Sequence, residues 1–355
     1  MEDLTIIILS NNRPFFLRRA INYWNNYNFP VIIVDGSSEA QKKWMDENSN
    51  SNIQYFYKKT SFPDRLNFAA KLVKTKYCIF LPDDEFYCVS VLKRCINFLE
   101  SNNEYVAVNG CAIGFFYTFN KLMGEKMYPE WIKRLRTETD PKERVISHMK
   151  SYANTLAVSV TKSDMFKKCA ELYVNNEFPI FALWELQMNL ILSFAGKSKT
   201  LDELMYFRSL EEDSPSLHHI IKNHIPSFNL KNTIDRFWNE PQFEKQKVKF
   251  INVMSSFLKT MKPEYSLDYC RNALTRSIEL HIKNSLLIKN KKKDFSSNIK
   301  IIIYNFLPTL VRNILIKIIY RLIKNSLLEQ TKLMENEGIL VNYKDINQII
   351  LVLKK

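Results

Sequence analysis

The first hundred residues alternate short β-branched apolar runs with stretches of helical spacing. Leu4–Ser10 (LTIIILS) is apolar almost throughout, the pattern of a strand covered on both faces. Asn11, Asn12 and Arg13 form a turn, and Pro14 suits the first position of a helix, where its fixed φ and missing N–H cost nothing. That helix runs to about Tyr27. Val31–Asp35 (VIIVD) predicts a second buried strand ending in Gly36-Ser37-Ser38, with a helix from Glu39. Ile53–Tyr57 predicts a third strand, Asp64–Lys74 a helix, and Tyr77–Leu81 (YCIFL) a fourth strand. This succession implies an α/β fold whose sheet is mostly parallel, with helices on both faces.

Further on, Tyr105–Tyr117 and Thr155–Thr161 have strand character, and Ser163 is suited to cap a helix starting at Asp164. Leu183–Ala195 predicts a helix and Glu203–Phe207 a short strand. From about Ser216 the spacing is helical without strand alternation, notably over Thr233–Met261 and Ser266–Ile288. Lys289–Lys293 forms a basic linker. After Pro308, Leu310, Val311, Ile314, Leu315, Ile318, Ile319, Leu322 and Ile323 make one apolar stripe with Arg312, Lys317, Arg321 and Lys324 off it. Asn336–Lys355 is too short to assign alone. The expected organisation is an α/β domain over residues 1–215, a helical region over 216–290 and a basic amphipathic region over 291–355.

Composition narrows the chemistry. The chain has six glycines in 355 residues, well below the average usage of roughly 7%. Gly36, Gly110, Gly114, Gly124, Gly196 and Gly338 include no pair spaced as GxGxxG or GxxxxGK requires, so a nucleotide site here needs another device. Of the net charge of +14, +9 falls between Lys283 and Leu328, where ten Lys/Arg accompany one acid, Asp294. A nucleic-acid groove would place its charge within the folded body among aromatics; no nucleic-acid partner is expected. The six cysteines form no CxxC pair and sit mostly in apolar runs, as buried thiols do. With acidic Glu2 and Asp3 at the start, no signal peptide is expected, and the cytoplasm is the simplest compartment. The longest uncharged stretch, Tyr105–Asn120, has sixteen residues, short of the roughly 20 apolar residues that span a bilayer.

In open α/β sheets, ligands bind outside the carboxyl ends of the strands. Three polar segments lie at such ends: Ser10–Arg13, Asp35–Ser38 and Asp83-Asp84-Glu85. Three adjacent acids repel one another unless a cation compensates them, and Mg²⁺ or Mn²⁺ favours carboxylate oxygens together with substrate phosphates. Two roles are open to the triplet: a metal bridge to a nucleoside diphosphate, or a solvated acidic turn capping a helix that begins near Tyr87.

Taken in order, LTIIILSNNRPFFLRRAINYW, VIIVDGSS, DRLNFAAKLVKTKY and FLPDDEF resemble the nucleotide-sugar domain of GT-A glycosyltransferases over about the first 210 positions. With the later WELQMNLILSFAGKSKTLDELMYFR they are most similar to a bacterial group related to family 2 and linked to surface polysaccharide synthesis. The resemblance implies that Ser10, Asn12, Arg13 and Ser37 line a nucleotide pocket and that Asp35 accepts a hydrogen bond from the base. Arg65 and Asn67 would touch base or diphosphate, Asp83 the ribose or metal, and Asp84 and Glu85 the metal, Mn²⁺ or Mg²⁺. Aspartate is usual where Glu85 stands, which leaves Asp84 as the main ligand or shifts the ion.

An inverting transfer needs a base for the acceptor hydroxyl. In such enzymes it sits at the start of a helix downstream of the metal motif, which selects Glu185, among apolar neighbours that would raise its pKa. A helix-start acid favoured by the macrodipole is the other reading of the same residue. Asp202, Glu203, Glu211, Glu212 and Asp213 compete for the role. Arg208 would neutralise the leaving diphosphate, and His218, His219 and His224 are candidates for a further metal ligand. The segment 299–328 has the composition of an interfacial helix, suited to an anionic membrane surface where lipid-linked glycan acceptors lie. The expected function is metal-assisted transfer from a nucleotide sugar to a surface glycan at the inner membrane face. A sugar-phosphate nucleotidyltransferase and a non-catalytic adaptor for membrane or nucleic acid are the alternatives.

Overall fold

A computed structural model describes residues 3–118, 121–176, 178, 180, 182–211, 234–291 and 325–354. Strand β1 (Leu4–Ser10) is fully buried and lies between β2 (Val31–Asp35) and β4 (Tyr77–Pro82), with β3 (Ile53–Tyr57) beyond β2. All three of these pairings are parallel. The registers set Ser10 opposite Asp35 and Leu9 opposite Pro82, so the polar residues that end these strands share one sheet edge.

The remaining strands pair in mixed directions. Between β4 and the long β6 (Tyr105–Thr118) sits β9 (Val160–Lys162), antiparallel to both. Strand β10 (Lys197–Ser209) runs parallel to β6 and antiparallel to the two-residue β5 (Phe86–Tyr87). β7 (Lys121–Met127) extends β6, and β8 (Leu135–Arg136) pairs with β10. The short strand predicted at Glu203–Phe207 is therefore much longer, because β6 pairs it through register shifts that its polar first half conceals. The strand predicted over Thr155–Thr161 is split by a 3-10 turn, Leu156–Val158. Ser163 is not a cap but the first residue of its helix; its N–H donates to the Lys76 carbonyl at 2.9 Å, tying it to the sheet.

Alternation along β1 sorts the helices. Leu4, Ile6 and Ile8 join one core with α1 (Pro14–Trp24), α4 (Val89–Ser101) and their neighbours, whereas Ile7 and Leu9 join a second core with α3 (Phe62–Leu72). The short α2 (Lys42–Asn48) adds Met45 to the first. The second face also carries α5 (Pro141–Lys150), α6 (Ser163–Asn175) and α7 (Ala182–Ala195). Burying one large apolar side chain such as Leu17 or Trp24 is worth about 1.5–3 kcal/mol, so these faces dominate stability.

The predicted helical region is observed as α8 (Ile234–Asn239), α9 (Glu244–Met261) and α10 (Leu267–Lys291), packed on the second face through Phe250, Met254, Leu258 and Leu274. The last residues form α11 (Leu327–Asn336) and α12 (Tyr343–Leu353), whose Leu327, Met334, Ile346 and Ile349 complete the opposite core. The chain thus closes both faces of its own sheet. The apolar-striped segment expected at a membrane lies outside the described residues up to 324. Among the described residues, no helix is long and apolar enough to cross a membrane.

Candidate active site

The turn after β1 builds the first wall. Asn12 takes a left-handed backbone conformation (φ 57°), which asparagine tolerates. Its Oδ1 accepts from the Ser38 N–H at 2.8 Å, and its own N–H donates to Ser37 Oγ at 2.7 Å. The turns after β1 and β2 are thereby locked together. Arg65 reaches in from α3, donating to the Ser10 carbonyl at 2.5 Å. It passes so close to Gly36 that a Cβ there would lie 2.7 Å from the Arg65 Cζ. One of the few glycines in the chain is needed for that approach.

The acidic triplet follows β4. Ser10 Oγ donates to Asp83 Oδ2 at 2.7 Å, while Arg13 donates to Asp83 Oδ1 at 2.6 Å and to Asp84 Oδ2 at 2.8 Å. Glu85 accepts from the Tyr206 hydroxyl and has Arg208 Nε 3.9 Å away. All three acids are buried, and the cations beside them are arginines. Burial pushes the Glu85 carboxyl up to about 8, with Asp84 adding to the rise and Arg208 opposing it. Burial disfavours charge on Arg13 too, but Asp83 and Asp84 hold its pKa above the usual arginine value.

Glu185 stands in the first turn of α7. Burial pushes its pKa up to about 7, and a side-chain hydrogen bond from Asn154 opposes the shift. Its charge adds to the upward push on Glu85. A carboxyl titrating near neutrality is suited to general-base work.

Two expectations change. Asp35 was expected to meet a nucleobase, but it is fully buried. Its Oδ1 accepts from the Ser37 N–H at 2.9 Å and its Oδ2 from the Tyr55 hydroxyl at 2.7 Å, so it shapes the turn after β2. Asn67 is half-buried on α3, two positions from Arg65, a spacing at which helical side chains do not face each other. Among the competing acids, Glu211 accepts both terminal nitrogens of Arg19 at 3.0 and 2.6 Å, and Glu203 pairs with Arg94. Glu212, Asp213, His218, His219 and His224 lie outside the described residues.

Residues 5–158 match the model of the family described as Glycosyl transferase family 2. Over those residues the chain is similar to family 2 glycosyltransferases, and its mixed sheet flanked by helices has the GT-A arrangement. No curated protein sequence matches this chain. Among solved structures, S. aureus TarS 1-349 is similar at 12% identity over 81% of this chain and 92% of that one, with a TM-score of 0.45. The same protein in complex with UDP-GlcNAc gives 13% identity, the same coverage and a TM-score of 0.45.

Sequence reasoning missed Tyr206 and Arg19. Arg19 is buried on the apolar face of α1, with its guanidinium 5.0 Å from the Phe16 ring centre and 5.6 Å from that of Phe86. It donates to the Asp84 carbonyl at 3.3 Å. An arginine on an otherwise apolar helical stripe was the available signal. Tyr206 had none, since a tyrosine in a buried strand reads as core.

Proposed function

We propose that this chain is a glycosyltransferase that moves a sugar from a nucleoside diphosphate sugar to a hydroxyl of a cell-surface glycan, with inversion. The observation that carries the reading is the convergence of Ser10, Arg13, Arg65, Asp83 and Asp84 on one strand-end edge, with Glu185 electrostatically coupled to Glu85. Arg13 and Arg65 would hold the nucleotide diphosphate. Glu185 would take the acceptor proton as the acceptor oxygen attacks the anomeric carbon. The bond from that carbon to the diphosphate oxygen breaks, and Arg13 and Arg208 neutralise the departing charge.

Among the described residues, no group of three or more His, Cys, Asp or Glu side chains could hold a metal ion. The donor set fits Mg²⁺ or Mn²⁺ in one form, since such ions accept one or two carboxylates with substrate phosphates completing the shell. Asp83 has both oxygens engaged, and Glu85, the second expected ligand, is committed to Tyr206 and Arg208. Asp84 would therefore hold the ion. When bound, it supplies Lewis-acid neutralisation of the leaving diphosphate.

The acceptor proposal includes a lipid-linked glycan at the cytoplasmic membrane face, reached through the basic segment 299–328. Its support is the concentration of +9 between Lys283 and Leu328, worth about 1 kcal/mol per basic residue at an anionic surface. Reversing Lys317 and Arg321 to Glu should abolish sedimentation with anionic vesicles, and undiminished binding would remove the membrane from the reading. The donor is tested by calorimetric titration of the full chain with UDP, GDP and CMP, with and without Mn²⁺. Binding of none of them would overturn the proposed function.

A further inference from the structure

Tyr87, Tyr206, Trp131 and Tyr128 form a stack of rings that starts in the sheet and ends against an arginine. Tyr87 of β5 is fully buried, and its hydroxyl donates to the Phe80 carbonyl at 3.0 Å and the Val158 carbonyl at 3.1 Å. The Tyr206 ring of β10 stacks on it with centroids 5.2 Å apart. Trp131 lies nearly parallel to Tyr206 at 6.0 Å and 8°, and Tyr128 nearly parallel to Trp131 at 4.4 Å and 11°. Trp131 is buried and Tyr128 half-buried. The Arg208 guanidinium carbon lies 5.2 Å from the centre of the Tyr128 ring, within the roughly 6 Å reach of a cation–π attraction.

Two further observations tie this stack to the acidic triplet. Tyr206 and Arg208 stand two positions apart on one strand, so their side chains leave the same face, and both reach Glu85, the first by donating its hydroxyl and the second with Nε at 3.9 Å. That separation exceeds a hydrogen bond; it attracts the guanidinium without fixing its direction. Tyr128, meanwhile, has a left-handed backbone (φ 47°, ψ 60°), which is costly for a bulky residue and persists only where the surroundings hold it. It opens the 3-10 turn Pro129–Trp131, whose Trp131 N–H donates to the Tyr128 carbonyl at 2.8 Å. The turn brings the two rings face to face, and a return of residue 128 to extended backbone would take its ring off both Trp131 and Arg208.

We propose that Tyr128 is a positioning residue for Arg208: its ring, seated on Trp131 and through it on Tyr206, gives the guanidinium a surface that fixes where it stands beside Glu85. A planar guanidinium is suited to such a surface. A cation held in place before the ligand arrives needs no reorganisation to meet developing negative charge.

The inference rests on the reading of Arg208 as a cation for the nucleotide phosphates, and the two fail separately. Position is read on the full-length protein labelled with ¹⁵N-arginine, with Arg208→Lys used to assign the Arg208 Nε–H resonance. Its ring-current shift should be lost in Tyr128→Leu and kept in Tyr128→Phe. An unchanged resonance in folded Tyr128→Leu protein would overturn the proposal, whatever the protein binds. Calorimetric titration with inorganic pyrophosphate, UDP, GDP and CMP gives the second readout. For each probe that the wild type takes up, Tyr128→Leu should weaken binding about tenfold, the scale of one cation–π contact, and Tyr128→Phe should restore it. In an Arg208→Ala background, Tyr128→Leu should add nothing; an equal loss in both backgrounds would show that the ring acts on the ligand itself and would overturn the proposal. If Arg208→Ala binds every probe as tightly as wild type, the phosphate role of Arg208 falls, and the resonance shift still decides whether Tyr128 holds it.

Discussion

The Arg13 guanidinium donates to the Asp83 carboxylate at 2.6 Å, joining the turn after the first strand to the turn after the fourth. Its second arm takes Asp84, so one side chain compensates two adjacent acids. Removing one partner of a buried pair costs about 3–5 kcal/mol, because the other charge stays buried. Arg13→Met should therefore lower the unfolding free energy by about 3 kcal/mol at pH 8. At pH 5 the loss should be smaller, since uncompensated buried carboxyls protonate there. Urea unfolding at the two pH values checks this, and equal losses would mean the acids are not ionised in the native protein.

Glu185 gives a prediction in activity and one in stability. With a carboxyl pushed up to about 7, kcat/KM should fall about tenfold per pH unit below that value. Glu185→Gln should remove the limb and lower kcat by roughly 10²–10⁴. For stability, the folded pKa lies above the unfolded value of about 4.3. The stabilising contribution is thus complete below about pH 4.3 and is lost as pH rises through 7. Glu185→Gln should be more stable than wild type at pH 8, by up to about 3 kcal/mol, and no more stable at pH 4.

Gly36 and Arg65 should behave as one unit. A Cβ at Gly36 would lie 2.7 Å from the Arg65 Cζ, so Gly36→Ala must displace the guanidinium from the Ser10 carbonyl. Both Gly36→Ala and Arg65→Ala should weaken binding of whichever nucleotide the wild type takes up by about tenfold, one charge-assisted hydrogen bond, and the double variant should be little worse than either. Calorimetry on the four proteins measures the coupling. Fully additive losses would separate the two residues.

The parallel half of the fold was legible because β1, β2 and β4 are continuous apolar runs, and their polar ends fall on one edge by register alone. Glu185 was legible as an acid opening an apolar helix. The pairing of β10 with β6 was not, since Lys197, Ser198, Lys199 and Thr200 read as polar loop until β6 lies beside them. Nor were the partners of the acids: adjacency in sequence shows that Asp83, Asp84 and Glu85 need compensation, but only tertiary contact shows that Arg13, Arg208 and Tyr206 provide it. Asp35 reads as a ligand for a base until Tyr55 and Ser37 are seen on its two oxygens.

The C-terminal helices carry a prediction that their sequence concealed. Asp345 of α12 accepts from the Ser90 N–H at 2.8 Å and from Ser90 Oγ at 2.6 Å. The N-cap of α4, Cys88, offers no side-chain cap of its own, so a residue more than 250 positions away caps that helix. Asp345→Ala should cost about 1–2 kcal/mol, the range for a lost helix cap, with nucleotide affinity unchanged because α4 lies outside the cluster around Asp83. Truncation before Lys289 would remove this cap together with Leu327, Met334, Ile346 and Ile349 from the core. It should yield an unstable protein rather than a soluble catalytic fragment. Thermal unfolding of the truncated chain beside Asp345→Ala compares the two losses, and a truncated protein as stable as wild type would show that the last two helices do not support the sheet.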